Sequence, residues 1–107
     1  MRTFTFNLEP GDPNSRMFAW LWSGKSDDLS FTIESFADHK IDHRLDYEQD
    51  GTVSLHVWIL GDWIWVPAGW YLILDYDGDL FVMRPEKFDE WFPYESYGNG
   101  MVMTGEN

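Results

Sequence analysis

The sequence contains no cysteine, and that absence excludes several classes of protein. It rules out a disulfide framework, a thiolate metal site and a thiol nucleophile, and small secreted domains usually depend on such cross-links. Long apolar runs are also missing. A membrane-spanning helix needs about 18 consecutive apolar residues, and no segment approaches that length. The first eight residues, MRTFTFNL, alternate polar and apolar side chains instead of forming the apolar stretch of a signal peptide. These features favour a cytoplasmic protein.

Basic residues are scarce as well. Seven lysines and arginines stand against 19 acidic residues, which gives a formal net charge of -12. Carboxylates repel phosphate, so direct binding to nucleic acid or to an anionic membrane is disfavoured. The charge predicts a partner with a basic surface.

Apolar side chains, by contrast, are plentiful. They make up 44% of the 107 residues, and aromatic residues alone make up 19%. A chain of this length and composition can bury one core. We therefore predict a single α+β domain over residues 1–93. Residues 94–107 show no regular pattern of polar and apolar residues, and we interpret them as a C-terminal tail that need not be ordered.

Alternation of polar and apolar residues predicts strands over most of the domain. The candidate strands are residues 2–8, 17–22, 39–47, 53–59, 63–66, 70–74 and 80–83. The Asp50-Gly51 pair between two alternating runs is a strong hairpin signal. Helical patterns near residues 27–39 and 85–92 complete the fold. We predict a small, twisted, mainly antiparallel sheet of about five or six strands, open or barrel-like, with one helix packed on it and a short C-terminal helix.

Three segments carry a resemblance to known proteins. AWLWSG at residues 19–24 is similar to an A-x-x-W-x-G motif that directly precedes a helix, and VPAGWYL at residues 66–72 is similar to a V-x-P-G-D-W-I turn and strand. DGDLFV and PEKF, within residues 77–88, are similar to a D-G-E-x-Y-x-x-x-P-x-x-F ending. In these segments the chain resembles a group of short phage and prophage proteins. The resemblance implies a phage origin and a small α+β fold, and it supplies no catalytic residue.

Two patterns resemble metal sites. Asp75, Asp77, Asp79 and Glu86 fall at the ligand positions of a calcium loop, but Leu80 stands where such a loop needs glycine, so we favour a tight acidic hairpin. The histidines and neighbouring aspartates could also form a metal-binding cluster, yet the alternation of strand residues places them on different faces. These side chains are His39, His43, His56, Asp38, Asp42 and Asp46. We expect no metal and no cofactor.

Enzymatic motifs are missing too. The sequence has no G-x-S-x-G nucleophile elbow and no phosphate-cradling loop. Its many carboxylates give no sign of converging in a cleft, as acid/base catalysis would require. We therefore expect a protein without enzymatic activity.

Tryptophans crowd the middle of the chain, at Trp58, Trp63, Trp65 and Trp70. Trp58 points away from Val57 and Ile59 on the same predicted strand, so both faces of that strand carry large apolar side chains. One interpretation is a second packed layer. The other is an exposed patch around Trp58, Trp63 and Trp65 that anchors a partner, since tryptophan is enriched at interfaces.

Negative charge is concentrated in two regions. Residues 27–50 carry eight acids against two bases, and residues 75–95 carry seven against two. The candidate partner-binding acids are Asp42, Asp46, Glu48, Asp50, Asp75, Asp77 and Asp79. On a strand, alternate residues such as Asp46, Glu48 and Asp50 are about 6.6 Å apart, which is comparable with neighbouring phosphates.

The first functional hypothesis is a small phage protein, in the host cytoplasm, that blocks a basic nucleic-acid-binding surface of a host protein. An anti-CRISPR or anti-restriction inhibitor that mimics DNA is its concrete form. The alternative is a virion or assembly accessory protein that self-associates through the tryptophans. A metal-dependent or small-molecule-binding domain is a third option, and a solvated acidic face without a partner also accounts for the charge. The chain would be a monomer or a small homo-oligomer.

Overall fold

The structure is a computed structural model, and it describes residues 2–9, 11–25, 29–93 and 102–104. Within these residues the chain forms eight strands, one short 3-10 helix and two α-helices. In chain order they are β1 (Arg2–Asn7), the 3-10 helix (Pro13–Ser15), β2 (Arg16–Leu21), α1 (Leu29–Asp38), β3 (His43–Tyr47), β4 (Val53–Ile59), β5 (Asp62–Val66), β6 (Tyr71–Leu74), β7 (Leu80–Met83), α2 (Pro85–Trp91) and β8 (Val102–Thr104).

The strands form two antiparallel sheets. Five strands pair in the order β7-β6-β2-β1-β8, and three pair in the order β3-β4-β5. The α+β class and the antiparallel pairing are confirmed, whereas the prediction of one sheet of about five or six strands is wrong. The described strands do not close into a barrel. Alternation of polar and apolar residues predicts where strands lie but not which strands pair. The strands on either side of the turn at residues 67–69, β5 and β6, belong to different sheets.

The five-stranded sheet is covered on both faces. Alternate residues of β2 show this division, because Trp20 belongs to one buried cluster while Met17 and Ala19 belong to another. The first cluster joins the sheet to α1 and to the inner face of the three-stranded sheet. The second joins the opposite face to α2. The molecule is therefore layered, with the three-stranded sheet and α2 on opposite sides of the five-stranded sheet.

Both predicted helices are present. α1 packs on β2, where the indole Nε1 of Trp20 donates a hydrogen bond to the Ser35 hydroxyl at 2.7 Å. α2 begins at Pro85, which suits the first helical turn because its missing N–H is not needed there. Phe88 and Phe92 are buried, and Trp91 is exposed. The aromatic ring of Phe88 stacks on that of Tyr71 with 3.8 Å between centroids.

The C-terminal segment is described only at residues 102–104. These form β8, which pairs with β1 at one edge of the five-stranded sheet. The prediction about residues 94–107 otherwise lies outside the described residues. No helix in the described part of the chain is long and apolar enough to cross a membrane.

Candidate functional site: an exposed tryptophan face

The outer surface of the three-stranded sheet carries the exposed tryptophans. Val53, Leu55 and Val57 of β4 are buried against the core, so the alternate residues of β4 point outward. Trp58 points outward on β4, and Trp63 and Trp65 do so on β5. Their exposed fractions are 43%, 37% and 58%. We call these three residues the tryptophan face.

One row of this surface runs across all three strands. The pairing of His43 with Val57 places Asp42 opposite Trp58, and the Trp58 N–H donates to the Asp42 carbonyl at 3.0 Å. On its other side Trp58 pairs with Trp63. The two indole centroids are 5.2 Å apart, and the rings are inclined at 70°. Together with His43, these three residues line a shallow pocket.

The next row contains an internal ion pair. Arg44 Nε lies 3.4 Å from Asp46 Oδ2, and Nδ1 of His56 lies 3.7 Å from the same oxygen. The Arg44 guanidinium also lies over the Trp63 ring, 5.4 Å from its centroid. Asp46 is therefore already paired with a positive charge.

The β6–β7 turn lies beside the tryptophan face. It is the tight acidic hairpin that the sequence predicts, closed by a hydrogen bond from the Asp75 N–H to the Asp79 carbonyl at 2.8 Å. Asp79 and Trp58 line a common pocket with Gly78 and Leu60. Asp42 and Asp79 thus each line a pocket with Trp58, although 37 positions separate them in the sequence.

Asp75 and Asp77 differ in exposure. Asp77 is exposed at the tip of this turn. Asp75 is half-buried, and its Oδ1 is buried without a hydrogen-bond partner. Of the three turn acids, Asp77 and Asp79 are the ones available to a partner.

The acids of the β3–β4 turn lie at the other end of the sheet from Asp42. β3 ends at Tyr47, so the expected 6.6 Å strand spacing from Asp46 through Glu48 to Asp50 is wrong. Glu48 accepts a hydrogen bond from the Ser54 hydroxyl at 3.1 Å. Asp50 accepts hydrogen bonds from the Thr52 hydroxyl at 2.6 Å and the Thr52 amide at 3.0 Å. These carboxylates fix the turn.

The hydrogen bonds at Asp50 also affect its ionisation. The Thr52 hydroxyl is the main cause that lowers the pKa of the Asp50 carboxyl, and the Thr52 amide adds to it. Both donors favour the charged form of the carboxylate. Asp50 therefore keeps its negative charge at lower pH than an ordinary aspartate.

The two acidic regions do not form one continuous face. The acids of α2, Glu86, Asp89 and Glu90, lie on the opposite side of the five-stranded sheet from the tryptophan face. Of the second acidic region, the β6–β7 turn therefore lies beside the tryptophan face and the acids of α2 do not.

The histidines do not converge. His39 packs against the rings of Phe18 and Trp20, and His43 packs against Phe36. His56 lies on the outer face of β4. Within the described ranges, no group of three or more histidine and acidic side chains is placed to hold a metal ion.

No family model, curated protein or solved structure matches this chain. The chemistry of the surface itself is therefore the basis for assigning a function. That chemistry consists of three exposed indoles, two carboxylates that share a pocket with Trp58 and have no ion pair among the described residues, and one arginine that is paired with Asp46.

Sequence reasoning found the tryptophans and the acids but missed two features of their arrangement. The position of Arg44 over Trp63 had no sequence signal, because the two residues lie on strands that are not neighbours. The approach of the β6–β7 turn to Trp58 depends on how the two sheets pack. The row from Asp42 to Trp63 did have a signal, since strand register can be inferred from the hairpin turn together with the alternation.

Proposed function

We propose that this chain is a non-enzymatic binding protein that occupies a basic, nucleic-acid-binding surface of another protein. One observation carries the proposal: Asp42 and Asp79 each line a pocket with the exposed Trp58, and neither has an ion-pair partner among the described residues. Tryptophans are frequent energetic anchors of protein interfaces. Acids beside them attract a positively charged partner over a long range.

The local charge supports a basic partner. Residues 42–66, which hold the three-stranded sheet, carry five acids against one base, and residues 75–79 add three more acids. Asp46 is the acid that the single base, Arg44, neutralises. A surface that normally holds nucleic acid presents lysines and arginines to phosphates. On this chain, those lysines and arginines would meet carboxylates that have no ion pair among the described residues.

The resemblance to phage proteins indicates which partner and which activity this proposal would involve. The partner would be a host protein in the bacterial cytoplasm, and the activity would be inhibition of a nucleic-acid-processing defence complex. An anti-CRISPR or anti-restriction inhibitor fits this description. The resemblance supports the phage origin, and the surface chemistry supports the basic partner.

Self-association through the tryptophan face is the second candidate, and three half-exposed indoles on one surface favour it. A protein of this kind would be a virion or assembly accessory protein. However, two copies meeting through this face would bring Asp42 and Asp79 of each copy near the same acids of the other. Like charges at an interface oppose association, so a basic partner fits this surface better.

Affinity capture from host extract, followed by competition with duplex DNA, tests the proposal. We expect the captured protein to be a nucleic-acid-binding protein that duplex DNA displaces. Capture that DNA does not affect would contradict the proposal. Size-exclusion chromatography at low and high salt tests the second candidate, which requires oligomers that persist at high salt because they are held by apolar contacts.

A further inference from the structure

The pocket between Trp58 and Trp63 has a defined chemistry. Two indoles meet at 70° with 5.2 Å between their centroids, and Asp42 lies across the strand pair from Trp58. We infer that this pocket accepts the guanidinium of an arginine side chain on the partner. The inference rests on the proposed function, because it names the group of the basic surface that this pocket recognises.

The indoles supply the first part of the recognition. A cation over the face of a tryptophan is attracted by the negative charge of the ring face, and tryptophan is the most favourable aromatic residue for this contact. This molecule already contains such a contact, because the Arg44 guanidinium lies 5.4 Å from the Trp63 centroid. The pocket itself is lined by Asp42, His43, Trp58 and Trp63, and Arg44 is not among these residues.

Asp42 supplies the second part. Its carboxylate has no ion-pair partner among the described residues, and it is exposed. The backbone of Asp42 is held by the hydrogen bond that its carbonyl accepts from the Trp58 amide. Arg44, on the same face, is paired with Asp46, which reduces its repulsion of an incoming positive charge. Asp79, beyond Trp58, adds a further negative charge.

Arginine fits this arrangement better than lysine. A guanidinium is planar and weakly hydrated, so it can stack on an indole and still donate two hydrogen bonds to one carboxylate. An ammonium group is compact and strongly hydrated, and it stacks less well. The pocket is shallow, and both indoles and Asp42, the groups that a guanidinium would contact, line it.

Indole ¹H–¹⁵N NMR of the full chain tests this inference with three short peptides. The probe is acetyl-Gly-Arg-Gly-amide, and the matched peptides carry lysine or the uncharged analogue citrulline in place of arginine. We expect saturable shifts of the Trp58 and Trp63 indole signals with the arginine peptide, smaller shifts with lysine and none with citrulline. Trp91 is an internal control, because it is exposed on α2, on the other side of the five-stranded sheet.

Variants separate the pocket from the rest of the surface. Asp42→Asn should weaken binding of the arginine peptide by about threefold or more, because it removes the charge beside the rings. Asp89→Asn removes an exposed charge from α2 and should leave binding unchanged. Trp58→Ala should abolish the shift of Trp63, whereas Trp65→Ala, on the same face but outside the pocket, should preserve it. Thermal denaturation of each variant checks folding.

The outcomes distinguish this inference from the proposed function. Equal shifts with arginine and citrulline, or an Asp42→Asn variant that binds like the parent, would overturn the arginine pocket even if DNA still displaces the captured protein. Arginine-specific shifts in a protein whose capture DNA does not affect would support the pocket and overturn the proposed nucleic-acid-site partner.

Discussion

Gly24 lies against Ala68, and a Cβ added to Gly24 would be 2.9 Å from the Cβ of Ala68. The contact joins the AWLWSG segment at residues 19–24 to the VPAGWYL segment at residues 66–72. Beside it the Trp22 amide donates to the Trp70 carbonyl at 3.0 Å, and the Gly69 amide donates to the Trp22 carbonyl at 2.7 Å. The Gly24 carbonyl also accepts a hydrogen bond from Val53, the first residue of β4. The chain that extends β2 therefore links the two sheets and holds the tryptophan face in place.

Replacing Gly24 by alanine should destabilise the protein by about 2–4 kcal/mol. Its φ of 77° is unfavourable for alanine, and the new methyl group would press on Ala68. Gly11→Ala is the matched control, because Gly11 has a φ of 85° but open space around it. Gly11→Ala should lose only the stability that the unfavourable backbone φ costs, about 1–2 kcal/mol. Equal losses in urea denaturation would show that the contact with Ala68 has no energetic role.

Phe88→Ala should reduce the free energy of unfolding by about 3–5 kcal/mol, because it removes a buried ring. Phe88 stacks on Tyr71 and secures α2, which is too short to be stable in water alone. Trp91→Ala, a larger truncation at an exposed position of the same helix, should change the stability by less than about 0.5 kcal/mol. Thermal denaturation compares the two variants, and similar losses from both would contradict the packing described for α2.

The Asp50 carboxyl should titrate below the pKa of an ordinary aspartate, and Thr52→Ala should raise its pKa toward that value. Because the folded-state pKa is lowered, the associated stability is fully present above the unfolded pKa and is lost as the pH falls through the folded pKa. Carboxyl ¹³C NMR titration of both proteins measures the difference. An unchanged Asp50 pKa in the variant would contradict the role assigned to the Thr52 hydroxyl.

Local pattern was sufficient to predict the elements but not their assembly. β4 and β7 have the predicted boundaries, and α1 and α2 lie within the predicted ranges. The division into two sheets could not be predicted, because β2 is apolar on both faces and its sequence does not identify the layer on either side. Helical periodicity alone would place Trp91 on the apolar side of α2 with Phe88 and Phe92, yet it is exposed. The helix is only seven residues long, and Phe92 follows its last turn with a φ of -129°.

Prediction of the candidate site depends on the register of the β3–β4 hairpin and on the packing between the two sheets. The β3–β4 connection places Glu48 opposite Thr52, so Gln49, Asp50 and Gly51 all belong to the loop. A two-residue Asp50-Gly51 loop would shift the register by one and reverse the faces of one strand. Alternation of the buried residues excludes that register. The position of Asp79 beside Trp58, by contrast, depends on packing between the sheets and has no local signal.

The central claim is that unpaired acids around the tryptophan face direct binding to a basic surface. Two triple variants, which change the net charge equally, separate this claim from a general effect of charge. The first neutralises acids beside the tryptophan face that have no ion pair among the described residues. Its substitutions are Asp42→Asn, Asp77→Asn and Asp79→Asn. The control neutralises three acids of α2 on the opposite side of the five-stranded sheet. Its substitutions are Glu86→Gln, Asp89→Asn and Glu90→Gln.

The most direct measurement is the association rate constant of each variant with the captured partner, at 0.1 M and at 1 M salt. Electrostatic steering weakens as the Debye length falls from about 10 Å to about 3 Å over this range. We predict that the first variant associates about tenfold more slowly than the control variant at 0.1 M salt, and that the difference largely disappears at 1 M. Equal association rates for the two folded variants at 0.1 M salt would contradict the account.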